Sequence, residues 1–141
     1  PDTRPHPEGD VMTHIVGLAE IVLWTANMEK SLAFYRDLLG LEVISSPELP
    51  NVFLKVGEGH AGTPQMIVLV PIPDEKAAQP RGGQLHHLAF ELPPESFDAQ
   101  RQILEEAGLK PRGGVHPVLP SRTMYVDDPD GNEVEFISME R

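Results

Sequence analysis

The sequence has no cysteine. That excludes disulfide scaffolds, thiolate zinc sites and thiol nucleophiles, so any bound metal has to be held by nitrogen and oxygen. Basic residues are scarce as well: 11 Lys and Arg stand against 22 Asp and Glu in 141 residues, for a formal net charge of -11. Nucleic acids and anionic membrane surfaces are bound by clustered cations that displace counterions, and no such run exists, so no nucleic acid and no membrane are expected as partners. Long hydrophobic runs are missing too. Ile21-Val22-Leu23-Trp24 and Met66-Ile67-Val68-Leu69-Val70 fall far short of the ~20 residues that a membrane span requires. Pro1 to Asp10 is rich in proline and charge and lacks the apolar segment of a secretory signal. These absences lead to the expectation of a soluble, cytoplasmic chain with a flexible amino-terminal tail over 1–16.

What is present is a repeated plan. Leu18 to Trp24 reads as a strand. Asn27 is a good N-cap for a helix carrying Met28, Leu32, Tyr35 and Leu39 at helical spacing, and Gly40-Leu41 is the expected left-handed stop. Three shorter strands are expected at Glu42–Ser45, Val52–Val56 and Gln65–Val70, and a polar linker over 73–83. Gln84 to Leu92 is again a strand, bounded by Gly82-Gly83 and Pro93-Pro94. A helix follows through Phe97, Gln100, Leu104 and Ala107, with Gly108-Leu109 as its stop. The stretch from Lys110 to Pro120 reads as polar loop, and strands at Arg122–Val126 and Glu133–Ile137 flank the turn Asp128-Pro129-Asp130-Gly131. The fold class expected is α+β: two βαβββ modules, 17–72 and 84–138, forming one domain over 17–138 with a curved mixed sheet and helices outside.

Alternation along the Gln84 to Leu92 strand places His87, Ala89 and Glu91 on one face and Leu88, Phe90 and Leu92 on the other. The second face is apolar and suited to packing; the first carries an imidazole and a carboxylate beside a small residue. His86 is expected to point away. His87 lies 67 residues after Glu20, and Gly108 lies 68 after Gly40. Carrying the larger offset onward maps Glu135 to Ile67, with Gln65 or Leu69 as alternatives. A pseudo-twofold relation would bring Glu20, His87, Glu135 and that fourth position toward one site.

Leu18-Ala19-Glu20-Ile21-Val22-Leu23 with Ser31-Leu32-Ala33-Phe34-Tyr35-Arg36-Asp37-Leu38-Leu39-Gly40-Leu41 resembles the first module of the vicinal oxygen chelate superfamily, the group of glyoxalases, extradiol dioxygenases and bleomycin resistance proteins. His87-Leu88-Ala89-Phe90 resembles its third ligand strand, and Asp128 to Glu135 its last hairpin. The resemblance implies metal ligation by Glu20, His87 and Glu135 and, by analogy, a homodimer. The fourth family site, occupied by Glu or Gln in several members, falls on an apolar residue here.

Two carboxylates and one neutral imidazole would favour a divalent ion, with Mn, Fe, Ni, Zn and Mg as candidates and the harder ones preferred. Glu20 and Glu135 are then candidate proton-transfer groups, Glu91 is an alternative, and Trp24, Tyr125 and the Ile67 position are candidate substrate contacts. Each has a plainer reading: a hydrogen-bonded strand histidine, a solvent-side carboxylate, a core aromatic. Two function classes follow. One is a divalent-metal-dependent enzyme performing isomerase, lyase or oxygenase chemistry on a small oxygen-chelating substrate. The other is a metal-free, drug-sequestering binding protein.

Overall fold

The computed structural model describes residues 14–73 and 85–140. The tail expected over 1–16, the linker over 73–83 and Gln84 lie almost wholly outside the described residues. Within them the order is β1 (Glu20–Thr25), α1 (Met28–Leu32), β2 (Glu42–Val43), β3 (Val52–Gly57), β4 (Gln65–Pro71), β5 (Leu88–Glu91), α2 (Phe97–Glu106), β6 (Arg112–Gly114), β7 (Ser121–Asp127) and β8 (Glu133–Met139). Each module closes its own four-stranded mixed sheet, ordered β1-β4-β3-β2 and β5-β8-β7-β6. Among the described residues no ladder joins β1 to β5, so the curved sheet expected from the repeat is realised as two sheets.

Local chemistry explains most of the boundaries. The Asn27 side chain accepts from the Lys30 amide at 3.0 Å, satisfying an orphan donor of the first helical turn. Beyond Leu32 the helix widens into a π-helical turn over Ala33–Leu38, where the Leu39 amide reaches back to the Phe34 carbonyl at 2.9 Å; the regular spacing through Leu39 gave no sign of this. Gly40 then stops it with φ 79°, a conformation that side chains with a Cβ resist.

β6 corrects the loop expected over Lys110 to Pro120. Arg112 pairs with Tyr125 and Gly114 with Thr123. A Cβ on Gly114 would stand 2.6 Å from Tyr125 Cε1, so glycine here leaves the ring its place against the strand.

One apolar core serves both modules. Leu23, Leu54, Ile67 and Leu69 of the first sheet, Phe34 and Tyr35 of the first helical segment, and Leu88, Phe97, Leu104, Met124, Val134 and Phe136 of the second module form a single buried cluster. A polar clamp joins the modules beside it. Asp128, 5 % exposed, accepts from Tyr35 Oη at 2.7 Å and from the Asp130 and Asn132 amides at 2.9 and 2.8 Å. Asp130 accepts from the Ala26 amide at 2.9 Å and Ser31 Oγ at 3.1 Å. The two aspartates therefore shape the turn, as expected, and also fasten the first helix to it. Burial, with Asp128 adding to it, pushes the Tyr35 phenol well above its ordinary pKa, so it stays a donor.

Candidate metal and substrate site

The second sheet carries the densest polar face. Glu135 lies mid-strand in β8, opposite Ala89 of β5 on one side and Tyr125 of β7 on the other. Ladder partners point to the same face, so Ala89, Glu135 and Tyr125 form a row. His87 sits just before β5, at the end of that row, with Nε2 3.0 Å from Glu135 Oε1. Its ring meets the Tyr125 ring edge-on at 5.9 Å between centroids. Ala89, which is exposed, stands between His87 and Glu91 in the chain.

Glu135 is only 3 % exposed, and its Oε2 has no hydrogen-bond partner among the described residues. A buried, unpartnered carboxylate oxygen costs free energy unless something positive occupies the space beside it. A divalent cation meets that need, and His87 Nε2 alongside supplies a second donor of the right kind, so these residues fit a metal. Burial raises the Tyr125 phenol, and the negative charge of Glu135 raises it further. At one end of the face, Arg112 Nη2 bridges Asp127 Oδ1 and Glu133 Oε2, each at 3.0 Å.

The first sheet presents a different face. Glu20 pairs with Met66, and Val22 with Val68. Glu20 is exposed, and Val22 and Trp24, two and four residues on, are 55 % and 56 % exposed. Within one chain the structure joins His87, Glu135 and Tyr125 and leaves Glu20 and Trp24 on this separate face. Among the described residues, the only three metal-capable side chains whose ligand atoms lie within 4.8 Å of one another are His86, His87 and Glu133.

Ile67 is not on the Glu20 face. It pairs with Ile21 and Leu54, is 3 % exposed and belongs to the core. Gln65 and Leu69 share its parity and are excluded with it. The strand offset is 67, not the 68 of the helix stops, and 67 positions back from Glu135 stands Val68, which shares the face of Glu20. A slip of one residue turned the assignment to the opposite face. The position is still apolar, so this face supplies no fourth ligand. Ile67 instead lines a cleft of about 430 Å³ between β1, β4 and β5, together with Ile21, Leu88, Phe90, Glu20 and Glu91. Glu91 is exposed there and has no link to Glu135.

His86 departs from expectation as well. Residues 85–87 precede the strand, so alternation does not govern them, and His86 Nδ1 comes within 2.8 Å of His87 Nδ1. Glu133 went unnoticed in the sequence, although its parity with Glu135 along β8 was a usable signal.

Comparison with known proteins identifies the family and the fold. The profile of the glyoxalase/bleomycin resistance protein/dioxygenase superfamily matches residues 17–136. A lactoylglutathione lyase of Neisseria meningitidis (serogroup A) is 27% identical over 125 residues, covering 85% of this chain and 88% of that protein. Among solved structures, a glyoxalase/dioxygenase from Nostoc punctiforme superposes with TM-score 0.70 at 21% identity, over 94% of this chain and 98% of that one. The fosfomycin resistance protein FosX of Listeria monocytogenes gives 0.66 at 22% identity, over 89% and 95%. With the profile spanning both modules and the last hairpin, the chain belongs to the glyoxalase/bleomycin resistance protein/dioxygenase superfamily.

Proposed function

We propose that the chain is a divalent-metal-dependent enzyme of the glyoxalase type, acting on a small substrate that offers two adjacent oxygens. The observation that carries this reading is the buried Glu135, one oxygen 3.0 Å from His87 Nε2 and the other without a hydrogen-bond partner among the described residues. Glu20 is the proposed third ligand. Within one chain it lies on the exposed apolar face of β1, which is an edge strand of its sheet among the described residues and is suited to a second copy. A homodimer that sets Glu20 of one copy against His87 and Glu135 of the other supplies two carboxylates and one imidazole. That donor set suits Mn²⁺, Fe²⁺ or Mg²⁺, with Ni²⁺ and Zn²⁺ as further candidates.

A bound ion supplies Lewis acidity toward the paired substrate oxygens. The protein supplies the rest. Glu135 and Glu20 are the candidate bases for a proton next to a substrate carbonyl, given a reach of ~3 Å. Tyr125 keeps its proton at neutral pH and can donate to oxygen charge as it develops. Trp24 provides an apolar wall when the copies meet. Arg112 is committed to Asp127 and Glu133, which weighs toward a neutral chelator and away from a phosphonic acid such as the one complexed by a mutant of the Listeria relative. The Neisseria relative's name, lactoylglutathione lyase, supports lyase chemistry as the first class to assay.

The apolar Val22, Trp24 and Val68 face also favours a second reading, a metal-free cup that sequesters a drug-sized molecule. Elemental analysis decides between them. Protein purified without chelators is expected to carry about one equivalent of divalent metal per site, and His87→Ala to carry none. Hemithioacetals, catechols and epoxides are then the substrates to screen. Absence of metal in the wild-type protein, with none taken up from Mn²⁺, Fe²⁺, Ni²⁺ or Zn²⁺, overturns the enzyme reading in favour of the cup.

A further inference from the structure

We propose a second metal seat on the outer side of His87, formed by His86 Nδ1, His87 Nδ1 and a carboxylate oxygen of Glu133. The proposal rests on the reading of His87 as a ligand but assigns the ion a different position. The two Nδ1 atoms are 2.8 Å apart. At that separation one ring donates to the other; two nitrogens each ~2.0 Å from a tetrahedral ion stand ~3.3 Å apart, so about half an ångström of opening lets an ion replace the shared proton. Ligand atoms of His86, His87 and Glu133 all lie within 4.8 Å of one another, with His86 exposed and the other two half-buried. Arg112 holds Glu133 through Oε2, which leaves Oε1 available.

Glu135 completes the arrangement from behind. With His87 Nε2–H donating to Glu135 Oε1 at 3.0 Å, the lone pair of a neutral His87 is on Nδ1, where it accepts from His86 Nδ1–H until an ion takes that proton's place. A carboxylate behind the non-coordinating nitrogen is the usual means of fixing a ligand histidine's tautomer and orientation. The same carboxylate therefore has two roles: ligand of the inner seat, orienter of the outer one. A neutral imidazole offers one lone pair, so the two seats exclude each other.

The seats also differ in chemistry and in what completes them. Two imidazoles and one carboxylate suit borderline ions such as Zn²⁺, Co²⁺, Ni²⁺ and Fe²⁺, whereas the inner set has more oxygen. All three outer donors come from one module of one chain, but the inner seat waits for Glu20. The outer seat thus lets an unassembled chain hold metal.

The test is Zn²⁺ titration of the full chain against a competing chromophoric chelator, with long-range ¹H–¹⁵N NMR of the histidine rings. His86→Ala and Glu133→Gln are each expected to weaken Zn²⁺ binding by about tenfold or more, and zinc is expected to shift His87 Nδ1 as the metal-bound nitrogen. The NMR readout uses the unmutated protein, so it stands even where a variant folds poorly. Wild-type affinity in both variants, or zinc on Nε2 of His87, overturns the seat. Weakening in His86→Ala alone overturns it also, and leaves His86 as a residue that positions His87 by hydrogen bonding. Binding lost in Glu20→Gln but kept in the two outer variants overturns the outer seat and leaves the inner reading standing. No zinc uptake by the wild-type protein overturns both.

Discussion

The two modules are built on the same ladder and carry opposite faces. In the first, Val22, Val68 and Phe53 lie side by side across β1, β4 and β3; in the second, Ala89, Glu135 and Tyr125 hold the equivalent places across β5, β8 and β7. The backbone pairing is the same, yet one row is apolar and the other carries a buried carboxylate and a phenol. Their helices are fastened differently as well. The first is tied by Asp128, which is buried, and Asp130, which is half-buried, across the module boundary, the second by the exposed pair Arg122–Asp98 at 2.7 Å, with Arg122 over the Phe97 ring. The fold therefore does not choose the chemistry: a duplicated scaffold tolerates a polar row in one half because ladder hydrogen bonds use the backbone alone.

The strongest way to break the contrast is Val68→Glu, which puts a carboxylate at the first module's counterpart of Glu135. Val68 is 2 % exposed. An uncompensated charge there is expected to cost about 3 kcal/mol or more, read as a fall in the urea midpoint. Added Mn²⁺ should restore part of it, and more than it adds to the wild-type protein, if the face meets metal as proposed.

Asp128→Ala tests the clamp. It leaves the Tyr35 hydroxyl and two backbone amides without their acceptor, and a loss of about 3 kcal/mol is expected by the same measurement. Tyr35→Phe should lose less, because the carboxylate keeps its amide donors.

The smallest effect is expected at the second helix. Asp98 is fully solvated, and its hydrogen bond from Arg122 holds its carboxyl below the usual range. A lowered folded-state pKa means that the pair contributes only above the unfolded carboxylate value and loses that contribution as pH falls through the folded one. Solvent screening makes the contribution slight. Asp98→Asn should leave the midpoint at neutral pH unchanged within error, and a clear drop would show that this helix too depends on a charged fastening.

Much of the fold was legible in the sequence. The Asn27 cap, the Gly40 and Gly108 stops, the Asp128 to Gly131 turn and the in-and-out alternation of β5 all act within a few residues, where side chain and backbone directly constrain each other. His87 and Glu135 were named together through the family resemblance, and the structure sets them 3.0 Å apart. What was misread depended on distant pairing. The Arg112–Gly114 strand has no strand-like composition of its own and exists because β7 pairs with it and the Tyr125 ring needs the space a glycine leaves.

The sequence by itself determined two modules, their apolar and polar faces and a donor set without thiolate, because period-two and helical spacing are local properties of the chain. Only the tertiary structure decided that Val68 rather than Ile67 answers Glu135, that His86 turns toward His87, and that Asp128 fastens Tyr35 from 93 residues away. Those outcomes are set by ladder register and by contacts between remote segments, and a shift of one residue there reverses which face a side chain serves.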